Sequence, residues 1–321
     1  MKFPVIGAVL AATLAPGLPV RAQEFPSGAI TVVTPLPPGT AVDILARLYA
    51  ERLSRRFGQQ IVVSNRPGAG GLIAAQAVAT APADGYTLLL TNSGHAILGT
   101  LNKNLPFDPV RDFAGISLIG ETAAVVTVPP SLGTRTLRAF VDLARAKPGT
   151  INYGSAGIGT AAHLAGAYFA RQAGIDMVHV PYKTGSALIA DLVEGRIQAT
   201  FSPAAFTLPM LQDGKLLALA VSSREPMRDP IAVPAALSAN VDYEYATWYG
   251  FLAPAKTPAA VLRTLDRAIT ALGRDAELQA RIAAQGIAPR SIGLSDFDAH
   301  IRREMDRLDP LLKSIGAQIG N

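Results

Sequence analysis

Residues 34–48 read TPLPPGTAVDILARL, and this stretch decides the fold. An apolar strand pattern, AITVVTP (29–35), leads into it, and then two prolines, a glycine and a threonine interrupt the chain. Apolar residues recur at helical spacing after the interruption, so the stretch predicts a strand, a short turn and a helix. A helix N-terminus carries free N–H groups and partial positive charge, so this turn suits a small anion.

The same alternation of strand and helix continues along the chain and predicts an α/β protein of two lobes. Each lobe is expected to be a mostly parallel sheet flanked by helices. Two extended apolar stretches that end in proline, near 123–128 and 248–253, are the predicted crossing strands. The predicted division is residues 23–122 and 249–321 for lobe 1 and residues 123–248 for lobe 2.

The first 22 residues, MKFPVIGAVLAATLAPGLPVRA, have the pattern of a cleaved secretory signal peptide. Lys2 precedes a short apolar run, and small residues stand where a signal peptidase reads. The alternative is a membrane anchor, but prolines and a glycine break the run well short of a bilayer-spanning length. We therefore expect a periplasmic protein that does not itself span the membrane.

Composition narrows the class of function. The chain has 321 residues, 49% hydrophobic and 17% charged, which is enough for two packed lobes. It has no cysteine, so disulfides, thiolate nucleophiles and cysteine-held metals are excluded. The 29 basic residues only slightly outnumber the 24 acidic ones and are scattered, which argues against a nucleic-acid partner.

Four polar loops are predicted at the carboxyl ends of strands, where open α/β sheets bind ligands. They are PLPPGTAVD (35–43), TNSGHA (91–96), NYGSAGIGTAAH (152–163) and PYKTGSA (181–187). Their turns and helix starts offer N–H groups, hydroxyls and glycine backbone to a carboxylate or dicarboxylate. The predicted ligand-binding residues are Pro38, Gly39, Thr40, Asp43, Asn92, Ser93, His95, Ser155, Gly157, Gly159, Thr160, His163, Lys183 and Thr184.

Several of these side chains have a structural alternative that the sequence leaves open. An acid in the first helical turn is stabilised by the helix dipole, so we expect Asp43 to orient its loop rather than face a carboxylate. His163 either faces the cleft or is a packing residue. Arg66, in RPGAGG (66–71), is favoured as part of a tight turn over a carboxylate clamp. Trp248 and Tyr249 either line the cleft or pack the crossing strand.

Enzyme templates fail on this sequence. The segment Gly157–Ala162 matches a dinucleotide-binding pattern, but the next strand ends in Tyr182-Lys183 without the acid that holds a ribose. YGSAG has Tyr153 where a serine-hydrolase elbow needs glycine. The four histidines have no metal-ligand spacing. We therefore predict no catalytic residues, no metal and no cofactor.

The motifs together resemble the Bug family, the extracytoplasmic solute receptors of tripartite tricarboxylate transporters. ITVVTPLPPGTAVDILARL, ADGYTLLL, LPFDPVRDF, INYGSAGIGTAAHLA, VHVPYK and WYGFLAPAKTP stand in the family's order across nearly the whole chain. The resemblance implies a two-lobed, type II-like periplasmic binding fold that closes on a small carboxylate. It also implies that the turns at Pro38-Gly39 and 155–160 bind carboxylates, and that a tripartite membrane carrier is the partner.

Two departures from the family pattern lie where the ligand is expected. Thr40 replaces the second glycine of Pro-Pro-Gly-Gly, which strains the turn if that position needs positive φ. Thr184 follows Tyr182-Lys183, where the family has glycine. The function predicted is a monomeric receptor for a small organic acid that does no chemistry. The alternatives are a periplasmic sensor or accessory protein for the same solute, and an α/β enzyme.

Overall fold

The computed structural model describes residues 25–101, 104–228 and 230–319, and within these ranges strands and helices alternate as the sequence predicts. The strands are β1 Ile30–Thr34, β2 Ile61–Asn65, β3 Thr87–Asn92, β4 Phe113–Ala123, β5 Val125–Val128, β6 Ile151–Ser155, β7 Met177–Pro181, β8 Ala199–Ser202, β9 Leu217–Val221, β10 Ala246–Pro254 and β11 Ala288–Gly293. The helices are α1 Ala41–Phe57, α2 Leu72–Ala79, α3 Leu98–Leu101, α4 Leu137–Ala146, α5 Ala161–Ala173, α6 Gly185–Val193, α7 Ala204–Gln212, α8 Ala259–Leu272, α9 Ala276–Ala283 and α10 Leu294–Ile319. The signal peptide predicted for residues 1–22 lies outside the described residues.

The first lobe is built on a six-stranded sheet in the order β11-β4-β10-β3-β1-β2. β1 runs parallel to both β2 and β3, so the loops that follow these strands emerge at one edge. Helix α1 packs the apolar residues Leu45, Tyr49 and Leu53 into the core of this lobe. Each such buried side chain contributes roughly 1.5–3 kcal/mol. Gly58, with φ +63°, ends the helix where the sequence predicts.

The second lobe is built on a five-stranded sheet in the order β7-β6-β8-β5-β9. β6 runs parallel to β7 and β8, which places the loops after β6 and β7 side by side. Its core contains Phe140, Tyr153, Phe169 and Phe201, and Phe169 lies 5.1 Å from Phe201 between ring centres. Gly166 lets helix α5 approach Tyr153, because a Cβ at this glycine would lie 2.4 Å from that ring.

Two segments connect the lobes. β4 in the first sheet continues through Ala124 into β5 in the second, and β10 returns the chain to the first sheet after Tyr245. Ser222 joins both segments, because its hydroxyl accepts from Ala124 N at 2.8 Å and donates to the Tyr245 carbonyl. Its backbone also bonds Ala124 O at 2.9 Å and Tyr245 N at 3.1 Å. The side chain is fully buried, so these bonds form a dry connection between the lobes.

The two-lobed α/β class is confirmed, but each sheet is mixed rather than mostly parallel. In the first sheet β1 pairs in parallel with β2 and β3, and in the second sheet β6 pairs in parallel with β7 and β8. The strands that connect the lobes pair antiparallel: β10 with β3 and β4, and β5 with β8 and β9. The crossing chain goes out in β4 and comes back in β10, which explains their opposite directions.

No helix in the described part of the chain is both long enough and apolar enough to cross a membrane.

Candidate functional site

The turns at residues 37–40, after β1, and 157–160, after β6, end in the same backbone geometry. We call them the lobe-1 turn and the lobe-2 turn. Gly39 has φ +81° and Gly159 has φ +78°, while the following residues, Thr40 and Thr160, are extended. Each threonine hydroxyl donates to the carbonyl three residues earlier, on Pro37 or Gly157, at 2.8 Å. Helices α1 and α5 begin at the next residue in each case, so both turns present a helix N-terminus.

The shared geometry answers the question that Thr40 raised. The positive φ falls on Gly39, and Thr40 has φ −78° and ψ 162°, so threonine is unstrained there. The Thr40 side chain makes no cap hydrogen bond to helix α1, which leaves the first-turn N–H groups without a side-chain acceptor from that position. Thr184 is likewise extended, and its hydroxyl accepts from Ala187 N at 3.3 Å as the cap of helix α6.

Asp43 fixes the lobe-1 turn from below. Its carboxylate is almost fully buried and accepts from Gly39 N at 2.9 Å, from Asn65 Nδ2 at 2.9 Å and from Arg47 Nε at 3.1 Å. Burial raises the pKa of Asp43, but the hydrogen bonds from Arg47, Gly39 and Asn65 outweigh it and hold this pKa below its ordinary value. These are the contacts that an orienting role for Asp43 requires.

His163 occupies the equivalent place beneath the lobe-2 turn. Gly159 N donates to His163 Nδ1 at 3.1 Å, as Gly39 N donates to Asp43. The His163 ring packs against His179 of β7 with centres 4.0 Å apart and ring planes tilted by 31°. His179 Nε2 lies 2.7 Å from the hydroxyl of Ser155, which is completely buried. Burial lowers the pKa of His163 to about 4, and burial followed by repulsion from His163 lowers the pKa of His179 to about 3.

The loop after β3 approaches the lobe-2 turn. Asn92 accepts from Gly94 N at 2.9 Å, and a Cβ at Gly94 would lie 3.6 Å from the Gly159 carbonyl of the other lobe. The Ser93 hydroxyl is fully buried and has no hydrogen-bond partner among the residues described. His95 packs edge-on against Phe113 at 4.7 Å, its Nε2 lies 2.8 Å from Pro109 O, and burial lowers its pKa to about 4.

The structure therefore sets the predicted residues in two turns and in the side chains that support them. Gly157, Gly159 and Thr160 form the lobe-2 turn, which Gly94 approaches and which Ser155 and His163 support. Gly39 and Thr40 form the lobe-1 turn, which Asp43 supports. Lys183 is exposed beyond the end of β7, beside the cap at Thr184. Their contact with a ligand stays a prediction.

Two features were missed by the sequence. The glycine-rich turn after β2 meets the lobe-2 turn, since a Cβ at Gly70 would lie 3.7 Å from Ile158 O. The parallel pairing of β2 with β1 was the available signal, because it brings both loops to one edge. The second is His179, which pairs with Tyr153 across the β6–β7 ladder. Trp248 and Tyr249 pack the crossing strand: Trp248 lies against Phe297, and its Nε1 donates to Glu304.

Comparisons with known proteins agree with this arrangement. The family model of the tripartite tricarboxylate transporter family receptor matches residues 45–317. Protein BugT of Bordetella pertussis is 30% identical over 98% of this chain and 97% of its own length. The solved structure of R. palustris Rpa4515 with adipate has a TM-score of 0.83 at 30% identity, covering 91% of this chain and 99% of that one. MatC from Rhodopseudomonas palustris with bound malate has a TM-score of 0.78 at 25% identity, covering 90% and 100%.

Proposed function

The chain belongs to the tripartite tricarboxylate transporter receptor family, and we propose that it is a periplasmic receptor that captures a small dicarboxylate between its two lobes. The observation that carries the proposal is the pair of equivalent turns, each with a left-handed glycine, an extended threonine and a helix N-terminus. One turn belongs to each lobe, so a ligand with a carboxylate at each end satisfies both.

The charge and hydrogen-bonding pattern supports an anion. The first-turn N–H groups of the 17-residue helix α1 point out of the turn without a bond from Thr40, and the helix dipole adds positive potential. The buried hydroxyl of Ser93, next to Gly94 in the loop that approaches the lobe-2 turn, costs free energy unless a water or a ligand takes its hydrogen bond. Relatives with adipate and with malate supply the ligand class.

The finer parts of the function belong to the same proposal. Cleavage after residue 22 would deliver residues 23–321 to the periplasm, where a tripartite membrane carrier would receive the solute. Lobe 1 would comprise residues 23–122 and 249–321, and lobe 2 residues 123–248, closing about the segments that Ser222 connects. The receptor acts as a monomer and does no chemistry, so a bound acid is released unchanged.

The test is calorimetric binding of adipate and malate to residues 23–321, with adipamide as the uncharged match for adipate. We expect both acids to bind, adipamide not to bind, and mass spectrometry to recover the acid unaltered. Equal binding of adipamide would refute anion recognition, and a changed mass would refute the receptor function. Small-angle scattering with and without adipate tests closure, which should reduce the radius of gyration.

A glycine pair provides a matched control for the lobe-1 turn. Gly39 and Gly58 bracket helix α1, both have positive φ, and a Cβ at either meets no atom within 4 Å. Alanine at either position therefore adds backbone strain of about 1 kcal/mol without a clash. Only Gly39→Ala disturbs the proposed site, so only this variant should weaken adipate binding, while both variants lose similar stability. Equal binding by the two variants would exclude the lobe-1 turn.

A further inference from the structure

The two turns differ in the side chain that holds them. Gly39 N donates to the carboxylate of Asp43, and Gly159 N donates to the imidazole of His163, four residues later in each case. Asp43 is a charged acceptor compensated by Arg47, with Nη2 to Oδ1 at 3.0 Å. His163 is an acceptor only while its Nδ1 carries no proton. The lobe-2 turn thus depends on a group whose charge changes with pH.

Hydrogen-bond donors determine the protonation of His163. Because Gly159 N–H points at Nδ1, the proton of the neutral ring belongs on Nε2. A second proton would have to enter Nδ1, where it meets the Gly159 N–H, and the hydrogen bond would break. The turn would then lose the contact that positions Gly159 against Gly94 of the other lobe.

His179 supports the same turn through Ser155. The Ser155 hydroxyl lies 2.7 Å from His179 Nε2, 2.9 Å from Gly157 O and 3.1 Å from Gly157 N, which donates to it. Thr160 Oγ1 approaches the same oxygen at 3.3 Å. These contacts join both ends of the lobe-2 turn through one buried oxygen. A charge on His179 would also repel a charge on His163, because the ring centres are only 4.0 Å apart.

The groups around the pair do not favour a positive charge. Tyr153 of β6 lies 5.1 Å from His179 and 6.3 Å from His163 between ring centres. The Tyr245 and Tyr243 hydroxyls donate to Ala161 O and Ala165 O of helix α5. On α10, which packs against α5, Glu304 accepts from Trp248. The phenol ring of Tyr153 therefore faces both histidines, and burial keeps both rings neutral at neutral pH.

We propose that His163 and His179 are positioning residues of the lobe-2 turn: the neutral, closely packed pair holds the turn in its ligand-receiving shape, and protonation of the pair releases it. This inference rests on the proposed receptor function only for the consequence that acid releases the ligand. The positioning of the lobe-2 turn by the histidine pair is a property of the protein without ligand, and it can be tested separately.

The ligand test uses variants that keep or remove the acceptors. In the rescue variant, His163→Asn with His179→Gln, amide atoms stand near Nδ1 and Nε2 but cannot titrate. In the disrupted variant, His163→Leu with His179→Met, similar bulk remains without acceptors. At pH 7.5 we expect the disrupted variant to bind adipate at least about tenfold more weakly than the wild type, the effect of losing one to two net hydrogen bonds. The rescue variant should recover most of that loss.

The pH profile separates positioning from packing. Adipate titrates identically with every variant, so the ratio of wild-type to rescue affinity isolates the protein. We expect this ratio to fall as the pH is lowered from 6 towards 4, while His300→Asn, a control on α10, follows the wild type. A constant ratio, or equal affinities of the rescue and disrupted variants, would overturn the proposal. Circular dichroism at each pH confirms that the variants compared are folded.

A ligand-free measurement keeps the inference distinct from the receptor function. In a 15N NMR titration, the Gly159 amide should shift with the same midpoint as the His163 ring, and this shift should vanish in the rescue variant. If wild-type protein binds neither adipate nor malate but the Gly159 amide follows His163, the positioning role of the histidines is supported and the receptor proposal fails. If the Gly159 amide does not respond while His163 titrates, the positioning role is refuted whatever the ligand result.

Discussion

Replacing Ser222 with alanine tests whether the two connecting segments depend on one buried hydroxyl. The hydroxyl accepts from Ala124 N at 2.8 Å and donates to Tyr245 O, and neither backbone group is exposed by more than 5%. Alanine removes both bonds at a fully buried site, where bulk water does not reach the freed groups. The remaining backbone bonds of residue 222 to Ala124 O and Tyr245 N are kept.

The expected cost follows from the two groups left without partners. An unsatisfied buried backbone donor or acceptor costs about 1–3 kcal/mol, so two together should lower the free energy of unfolding by about 2–6 kcal/mol. At roughly 2–3 °C per kcal/mol for a chain of this size, Tm should fall by roughly 4–18 °C. The loss should appear in the urea midpoint with an unchanged slope, because the surface exposed on unfolding is the same.

The neighbouring serine supplies the control. Ser223 donates to Glu225 O at 2.7 Å in an exposed turn, where water replaces the lost bond. Ser223→Ala should therefore stay within about 0.5 kcal/mol of the wild type. Urea denaturation of the wild type and both variants at pH 7.5 is the assay. A Ser222→Ala protein as stable as Ser223→Ala would refute the reasoning, because the buried bonds would then contribute nothing measurable.

Three further predictions address the turn supports and the core. Asp43→Ala should lower the free energy of unfolding, measured by urea denaturation, by about 2–4 kcal/mol, because it removes charge-assisted hydrogen bonds including the one from Gly39 N. Asp43→Asn should lower it less, because one amide oxygen still accepts a hydrogen bond. Equal losses in the two variants would contradict this prediction. Gly166→Ala should lower the free energy of unfolding by more than about 2 kcal/mol, because the added Cβ would lie 2.4 Å from the Tyr153 ring. The double variant with Tyr153→Leu should recover part of this loss, and no recovery would show that a clash with Tyr153 is not the cause. Burial lowers the pKa of His95 to about 4 from an ordinary value near 6.5, so the folded state favours the neutral ring. The stability that His95 contributes is therefore complete above pH 6.5 and is lost as the pH falls towards 4. Between pH 7 and 4.5 the wild type should lose about 2–3 kcal/mol more stability than His95→Phe, and parallel pH profiles of the two proteins would contradict this prediction.

Local sequence signals predicted the turns because their geometry is set by a few neighbouring residues. Gly39 adopts the positive φ that glycine tolerates, Thr40 ends the turn, and helix α1 runs from Ala41 to Phe57 as its apolar spacing and Gly58 indicate. Thr40 is not strained, because the glycine before it adopts the positive φ.

Contacts between distant residues were beyond the sequence pattern. Nothing in the spacing of His163 and His179 shows that β7 pairs with β6 and brings the two rings into contact. The antiparallel pairing of β4 with β10 also escaped prediction, because each crossing strand looks the same in isolation whichever direction its partner runs. The role of Ser222 depends on both crossing segments at once, so no local motif announces it.

Comparison of the two turns leads to an order of events on acidification. Hydrogen bonds from Arg47, Gly39 and Asn65 hold the pKa of Asp43 below its ordinary value despite burial, so the lobe-1 turn keeps its charged acceptor as the pH falls towards 4. In that range protonation of the buried histidines begins, since burial lowers the pKa of His163 only to about 4. The lobe-2 turn should therefore loosen while the lobe-1 turn is still intact. A dicarboxylate held by both turns would then lose its contacts with the lobe-2 turn first. Its release on acidification would therefore begin at the lobe-2 end of the cleft.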